Sequence, residues 1–181
     1  GAWPALITEV EQRYGSEVVL IADGFQELYA RLFDGVHSYA ILDWLRGLEP
    51  AEVSRAAQEH FTAAVALARS QGRVSCVTVM PGYDDTKVRS PGLRVPRHDG
   101  QLYRALWEQA IAADPDWVLI TSFNEWHEGS EIETSVEYGD LYLRLTEPFA
   151  RRFTALPPRP VSRPQGPRVP SRYATELGTL F

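Results

Sequence analysis

Glu125 and Glu128 stand three residues apart in a chain of 181 residues, flanked by Asn124, Trp126, His127 and Gly129. They follow Trp117-Val118-Leu119-Ile120-Thr121-Ser122-Phe123, an apolar and β-branched run of the kind that forms a strand buried on both faces. Charged groups at the end of a core strand must be hydrated, paired or hydrogen-bonded, because burying them alone is costly. One reading is a solvated turn, but the residues that favour turns are mostly absent here. The other is an active site at the C-terminal edge of a parallel sheet.

Two carboxyl groups suit the cleavage of an acetal. One, held protonated, donates to the leaving oxygen while the other stays ionised, and proximity pushes their proton affinities apart. The Trp126 indole offers a stacking face for a sugar ring, or else belongs to the core. His127 has three readings: holding a carboxylate, meeting substrate hydroxyls, or binding a metal. Tetrahedral zinc sites use several His or Cys ligands, and the other histidines are His37, His60 and His98, with His60 on a helix away from the cluster. A hard cation on Asp84, Glu131 and Glu133 would lack a recognisable binding loop. No metal and no cofactor is therefore expected.

Alternating strands and helices would position these groups. Strands are expected over residues 17–22, 35–40, 74–80 and 117–123. Helices are expected over 4–14 (Leu6, Ile7, Val10 and Tyr14 inward), 25–33, 51–71 and 100–113. The third is the clearest: Val53, Ala57, Phe61, Ala64, Val65 and Ala68 stripe one face, with Pro50 just before and Gly72 just after. In the fourth, Leu102, Tyr103, Leu106, Ala110 and Ile111 face inward and Asp99 suits the N-cap. Residues around Asp43, Trp44 and Gly47 read as a loop, as do residues 81–99. A last helix through Tyr138, Leu141, Tyr142, Leu145 and Phe149 should kink or divide at Pro148.

This order is that of a parallel α/β fold. Its four βα units fit either a small open sheet or half of a (β/α)₈ barrel, since whole barrels run to about 250 residues. Each strand is followed by polar groups: Asp23; Tyr39 and Asp43; Tyr83, Asp84 and Asp85; then Glu125, His127 and Glu128. Barrel active sites collect residues from several strands at that edge.

Residues 1–156 read as the barrel domain and 157–181 as a linker or tail, with six prolines and four arginines between 157 and 172. A net charge of −6 argues against a nucleic-acid partner. No apolar run reaches the length of a transmembrane helix. Cys76, alone in an apolar run, reads as a small buried hydrophobe. Gly1 in place of Met, with no signal segment, suggests an excised or processed start. The compartment is left open, a secreted or periplasmic parent protein included.

Ile120-Thr121-Ser122-Phe123-Asn124-Glu125-Trp126-His127-Glu128-Gly129, with Ile132-Glu133 after it, resembles the signature of glycoside hydrolase family 99, the endo-α-mannosidases. Pro81-Gly82-Tyr83-Asp84-Asp85-Thr86 with Arg89 is similar to a second family segment. Phe33-Asp34-Gly35 through Tyr39, and Tyr138-Gly139-Asp140-Leu141-Tyr142-Leu143, resemble weaker ones. The resemblance spans about residues 15–150. It implies a (β/α)₈ barrel of which this chain is the C-terminal half. It implies metal-free, retaining cleavage inside mannose-containing oligosaccharides or polysaccharides. In the family the first Glu takes the proton of the substrate 2-hydroxyl, giving a 1,2-anhydro sugar, and the second is acid and then base. Glu125 and Glu128 would take these roles, and Tyr39, Tyr83, Asp85, Arg89, Asn124, Trp126 and His127 would bind substrate. Related bacterial proteins associated with surface-polysaccharide synthesis share Asn-Glu-Trp but usually alter His-Glu-Gly, so His127-Glu128-Gly129 favours a hydrolase. The alternatives are a glycosyl-transferring relative on the same barrel and a truncated, non-catalytic carbohydrate-binding domain.

Overall fold

Two aspartates placed just ahead of strands set the sheet. The Asp34 carboxylate accepts the Leu20 N–H at 2.8 Å, and the Asp34 N–H returns a 2.8 Å bond to the Leu20 carbonyl. Asp116 repeats the device, accepting the Ser75 N–H at 2.8 Å and its hydroxyl at 2.7 Å. Each carboxylate occupies a donor where a ladder begins and so pins the register of the strands that follow. The computed structural model of the protein describes residues 2–15 and 18–157. All but the first residue of the expected tail lie outside them.

Along the chain run α1 (Ala2–Tyr14), β1 (Ile21–Asp23), α2 (Glu27–Leu32), β2 (Gly35–His37), α3 (Leu42–Leu45) and α4 (Pro50–Ser70). They are followed by β3 (Val74–Val79), β4 (Tyr83–Asp84), β5 (Arg94–Val95), α5 (Gln101–Ala113), β6 (Trp117–Ile120) and α6 (Leu141–Thr154). The main sheet has the order β1-β2-β3-β6, every pair parallel. Gly35 lets β2 fit between its neighbours: a Cβ there would lie 2.6 Å from the Ile21 side chain and 2.7 Å from the Val74 carbonyl.

The six α4 residues expected to face inward are its six buried residues. Glu49 and Glu52 close a capping box at its start, and Pro50 fills the first turn, where no N–H is needed. The inward set of α5 is buried as expected, together with Trp107. These faces meet Val77 and Val79 of β3 and Tyr142, Leu145 and Phe149 of α6 in the main core. A second cluster, with Ile7, Leu32, Phe33 and Val36, lies under α1 and α2. Fully burying a Leu, Val or Phe stabilises by about 1.5–3 kcal/mol, so the two clusters outweigh the ion pairs at the surface.

Several boundaries differ from expectation. The strands are shorter, and at the C-terminal end of β2 the backbone carbonyls turn to side chains instead of a ladder. Thr78 donates to the Ser38 carbonyl, and Thr121 donates to the Tyr39 carbonyl at 2.8 Å. The fourth strand is not buried on both faces: Trp117 is 43% exposed and Val118–Ile120 are half-buried, because β6 is an edge of the described sheet. Of the expected α1 stripe Ile7 is buried, whereas Leu6 and Tyr14 are exposed. Helix α2 starts two residues late, leaving Phe25 exposed. Residues 42–45 form a helical turn that buries Leu45.

Asp99 is not the N-cap of α5. It adopts a left-handed conformation inside a 3₁₀ turn, and Gly100 takes the cap position without a side-chain bond. Helix α6 runs through Pro148 undivided, with Pro148 on the exposed side. A carbonyl left without its N–H partner there can turn to water. Among the described residues, no helix is long and apolar enough to cross a membrane.

Cys76 is 1% exposed on β3, and burial, with Asp116 nearby, pushes its thiol up to about 12. The protonated thiol is the form the fold favours, a preference complete below the ordinary thiol pKa and lost as pH rises toward 12. The folded chain should therefore not react with an aromatic disulfide reagent at pH 8, and one thiol should appear on denaturation. Rapid reaction without denaturant would show that β3 opens.

Candidate active site

The parallel register sends the chain out of β2, β3 and β6 at one edge. From β2 comes Tyr39, whose N–H donates to Asp23 at the end of β1 at 2.9 Å. From β3 comes the segment 80–97, folded back as the antiparallel β4–β5 hairpin. From β6 comes the turn 121–133. The expectation of an irregular loop over 81–99 missed that hairpin, which is two residues long on each side and too short to show alternation.

On the hairpin, Tyr83, Asp85 and Arg89 form a closed group. Arg89 donates to the Asp85 carboxylate at 2.7 Å and to the Tyr83 hydroxyl at 2.6 Å. The Tyr83 hydroxyl donates to Asp85 at 3.0 Å, and the Leu93 N–H to the other Asp85 oxygen at 2.6 Å. Arg89, and then the Leu93 amide, hold the Asp85 carboxyl below its ordinary value. Burial, the bond to Asp85 and the charge of Glu128 push the Tyr83 phenol up to about 12. Tyr83 is thus a fixed neutral donor, and Arg89 a cation with a second face free to reach further.

That face meets Glu128. Its carboxylate lies 3.6 Å from Arg89 and accepts from the Tyr39 hydroxyl at 3.3 Å. Burial, followed by the charges of Glu128 and Glu125, raises the Tyr39 phenol, so this hydroxyl senses both carboxylates and remains a donor. Tyr39, Tyr83, Asp85, Arg89 and Glu128 come from three strand ends into one group, with Glu125 exposed on the same turn. The Glu125 N–H is tied to the Ser122 hydroxyl at 2.9 Å, and Ser122 and Ser130 share a hydroxyl–hydroxyl bond of 2.9 Å.

The remaining residues of the signature lie on the same turn with a different outlook. Trp126 is 49% exposed, not core, and its indole N–H donates to Glu133 at 3.1 Å. Trp126 and exposed His127 line a cavity of about 520 Å³ together with Tyr83, Asp84, Arg94 and Tyr138. Neither Glu125 nor Glu128 lines it. Exposed Asn124 contributes its carbonyl to the Trp126 N–H.

The carboxylates weighed for a hard cation are engaged elsewhere. Asp84 is held by Thr86 and Arg94, Glu133 by Trp126, and Glu131 by Arg97. Arg97 and Ser122–Ser130 escaped the reading of the sequence. Arg97 lay in a segment without periodicity, and nothing local announces a serine pair eight residues apart.

A family model described as glycosyl hydrolase family 99 matches residues 26–145. A glycoprotein endo-α-1,2-mannosidase-like protein of Danio rerio is 28% identical over 170 residues, covering 85% of this chain and 34% of that protein. The corresponding Homo sapiens protein is 37% identical over 92 residues, covering 42% of this chain and 20% of that one. Among solved structures, the family 99 endo-α-mannosidase of Bacteroides thetaiotaomicron in complex with BIS-TRIS-propane is similar, with a TM-score of 0.58 and 25% identity. That match covers 80% of this chain and 49% of the solved one. The chain thus spans about half of that enzyme and a third or less of these curated relatives.

Gly129 makes the turn possible. Its φ is +55°, and a Cβ there would lie 2.9 Å from the Asp84 carbonyl oxygen and 3.0 Å from the Asp84 nitrogen. Gly129→Ala should destabilise the chain by about 1–2 kcal/mol from the left-handed conformation alone, measured by urea unfolding, with the backbone clash adding to it. An unchanged midpoint would mean that the turn and the hairpin separate freely.

Proposed function

The chain belongs to glycosyl hydrolase family 99, and on that premise we propose that it forms the C-terminal half of a (β/α)₈ barrel that cleaves α-mannosidic bonds inside glycans. The observation that carries the reading is the placement of Glu128. Tyr39 reaches it from the end of β2, and Arg89, bonded to Tyr83, from the end of β3, three residues from Glu125 on one turn. Support for the half-barrel comes from four parallel strands with their helices, and from a match to about half of a solved family enzyme. The open edges at β1 and β6 are where further strands would pair.

In the proposed reaction, the Glu125 carboxylate takes the proton of the substrate 2-hydroxyl. That oxygen bonds to the anomeric carbon as the glycosidic bond breaks, and Glu128 gives its proton to the leaving oxygen. Glu128 then takes a proton from water, whose oxygen attacks the anomeric carbon. The bond from that carbon to the ring-closing oxygen breaks, and Glu125 returns the proton to the 2-oxygen. The product retains its configuration, and substrate participation is a recognised variant of carboxylate-pair catalysis. Tyr39 and Arg89, one a neutral donor and one a cation, hold Glu128 as its charge changes. Asp85 keeps Arg89 in place. Asn124, Trp126 and His127 bind the glycan, Trp126 by its exposed indole face.

Paired variants in the intact barrel test these roles. Glu128→Gln should lose about 10²–10⁴-fold on a mannoside with a poor leaving group but much less on an activated aryl mannoside, which needs little protonation. Glu125→Gln should cripple both, and a 2-deoxy substrate should not react. Equal small losses in both variants would remove the two carboxylates from the chemistry. A normal rate on the 2-deoxy substrate would restore a direct carboxylate nucleophile, and transfer to sugar in preference to water would make the protein a transglycosylase.

A further inference from the structure

We infer that Arg97, which lies outside the motifs that carry the family resemblance, is the positioning residue for Glu128; the inference rests on the reading of Glu128 as the general acid. The Arg97 side chain is 7% exposed and both terminal nitrogens of its guanidinium are used. One nitrogen donates to the Glu131 carbonyl at 2.9 Å. Another donates to the Gly129 carbonyl at 3.0 Å and pairs with the Glu131 carboxylate at 2.9 Å. Two rings pack against it as well, with Tyr138 at 4.2 Å and Tyr142 at 4.5 Å from the guanidinium carbon to the ring centroids, the rings themselves meeting edge to face at 5.5 Å.

This group grips the backbone on the C-terminal side of Glu128. Glu128 immediately precedes Gly129, whose carbonyl Arg97 holds, and Ser130 is tied to Ser122. The side-chain contacts of Glu128 are looser, at 3.3 Å to Tyr39 and 3.6 Å to an Arg89 that is half exposed. Normal-length bonds from a buried guanidinium therefore set where the Glu128 backbone sits, and the longer ones tune its carboxylate. A lysine could not replace Arg97, because an ammonium lacks the planar fork that serves two carbonyls and a carboxylate together while packing against two rings.

Arg97→Lys, Arg97→Met and Glu131→Gln are to be assayed in the intact barrel beside wild type, with a poor-leaving-group mannoside and an activated aryl mannoside. Amide exchange is followed at Ser130 and Ile132, whose N–H groups bond within the turn. The two Arg97 variants should keep KM within a few-fold and lose about 10–100-fold in kcat on the poor leaving group, the scale of a small misplacement. The activated substrate should be largely spared. Glu131→Gln, which keeps both carbonyl bonds, should lose less. A folded Arg97→Lys with equal losses on both substrates, or none, overturns the inference; should Arg97→Met fail to fold, Arg97→Lys and Glu131→Gln decide. If wild type cleaves neither substrate, the catalytic reading of Glu128 fails separately. Exchange then decides the clamp: faster exchange at Ser130 and Ile132 in Arg97→Lys supports it, and unchanged exchange overturns it.

Discussion

The pairing of β6 with β3 is the constraint on which the site depends. Four residue pairs, from Cys76 opposite Trp117 to Val79 opposite Ile120, fix which residues leave the sheet side by side. Asp116 sets this register at the start through Ser75. A slip of one residue would turn each β6 side chain to the other face. It would also carry Glu125 and Glu128 away from the hairpin that holds Tyr83, Asp85 and Arg89. The contact of Gly129 with Asp84 shows how little slack remains at the far end.

Two arginines divide the work around the turn. Arg97 is buried, and its pair with Glu131 is of the kind whose disruption costs about 3–5 kcal/mol, because the remaining charge is stranded. Arg89 is half exposed, so water screens its interactions, and exposed pairs contribute about 0–1 kcal/mol. Stability therefore points to Arg97 and adaptability to Arg89. A rigid backbone beneath a carboxylate with longer, partly hydrated contacts suits a group that must give up a proton and take one back.

The helices and the strand order were legible in the sequence because long amphipathic patterns survive tertiary context. Val53 through Ala68 striped α4, and Leu102 through Ile111 striped α5. The end of β2 was less legible, since Thr78 and Thr121 take the Ser38 and Tyr39 carbonyls that alternation assigns to the ladder. The exposure of β6 could not be read from Trp117-Val118-Leu119-Ile120, because those residues report what a strand can bury, not whether a neighbour is present. The candidate site was legible where chemistry is dense, at Glu125, Glu128, Tyr83 and Arg89, which the structure brings to one edge. Arg97 was not, because its contacts with Glu131, Tyr138 and Tyr142 form only in three dimensions.

On the proposed mechanism, this edge of the sheet, in a closed barrel, breaks a mannosidic bond and gives the new end to water with retention. Proton NMR of the anomeric region, recorded in the first minutes of reaction with a defined α-linked manno-oligosaccharide, tests it most directly. An α-configured reducing end should appear first and then drift to the equilibrium mixture. A β-configured first product, or a substrate left intact by the folded barrel, would contradict it.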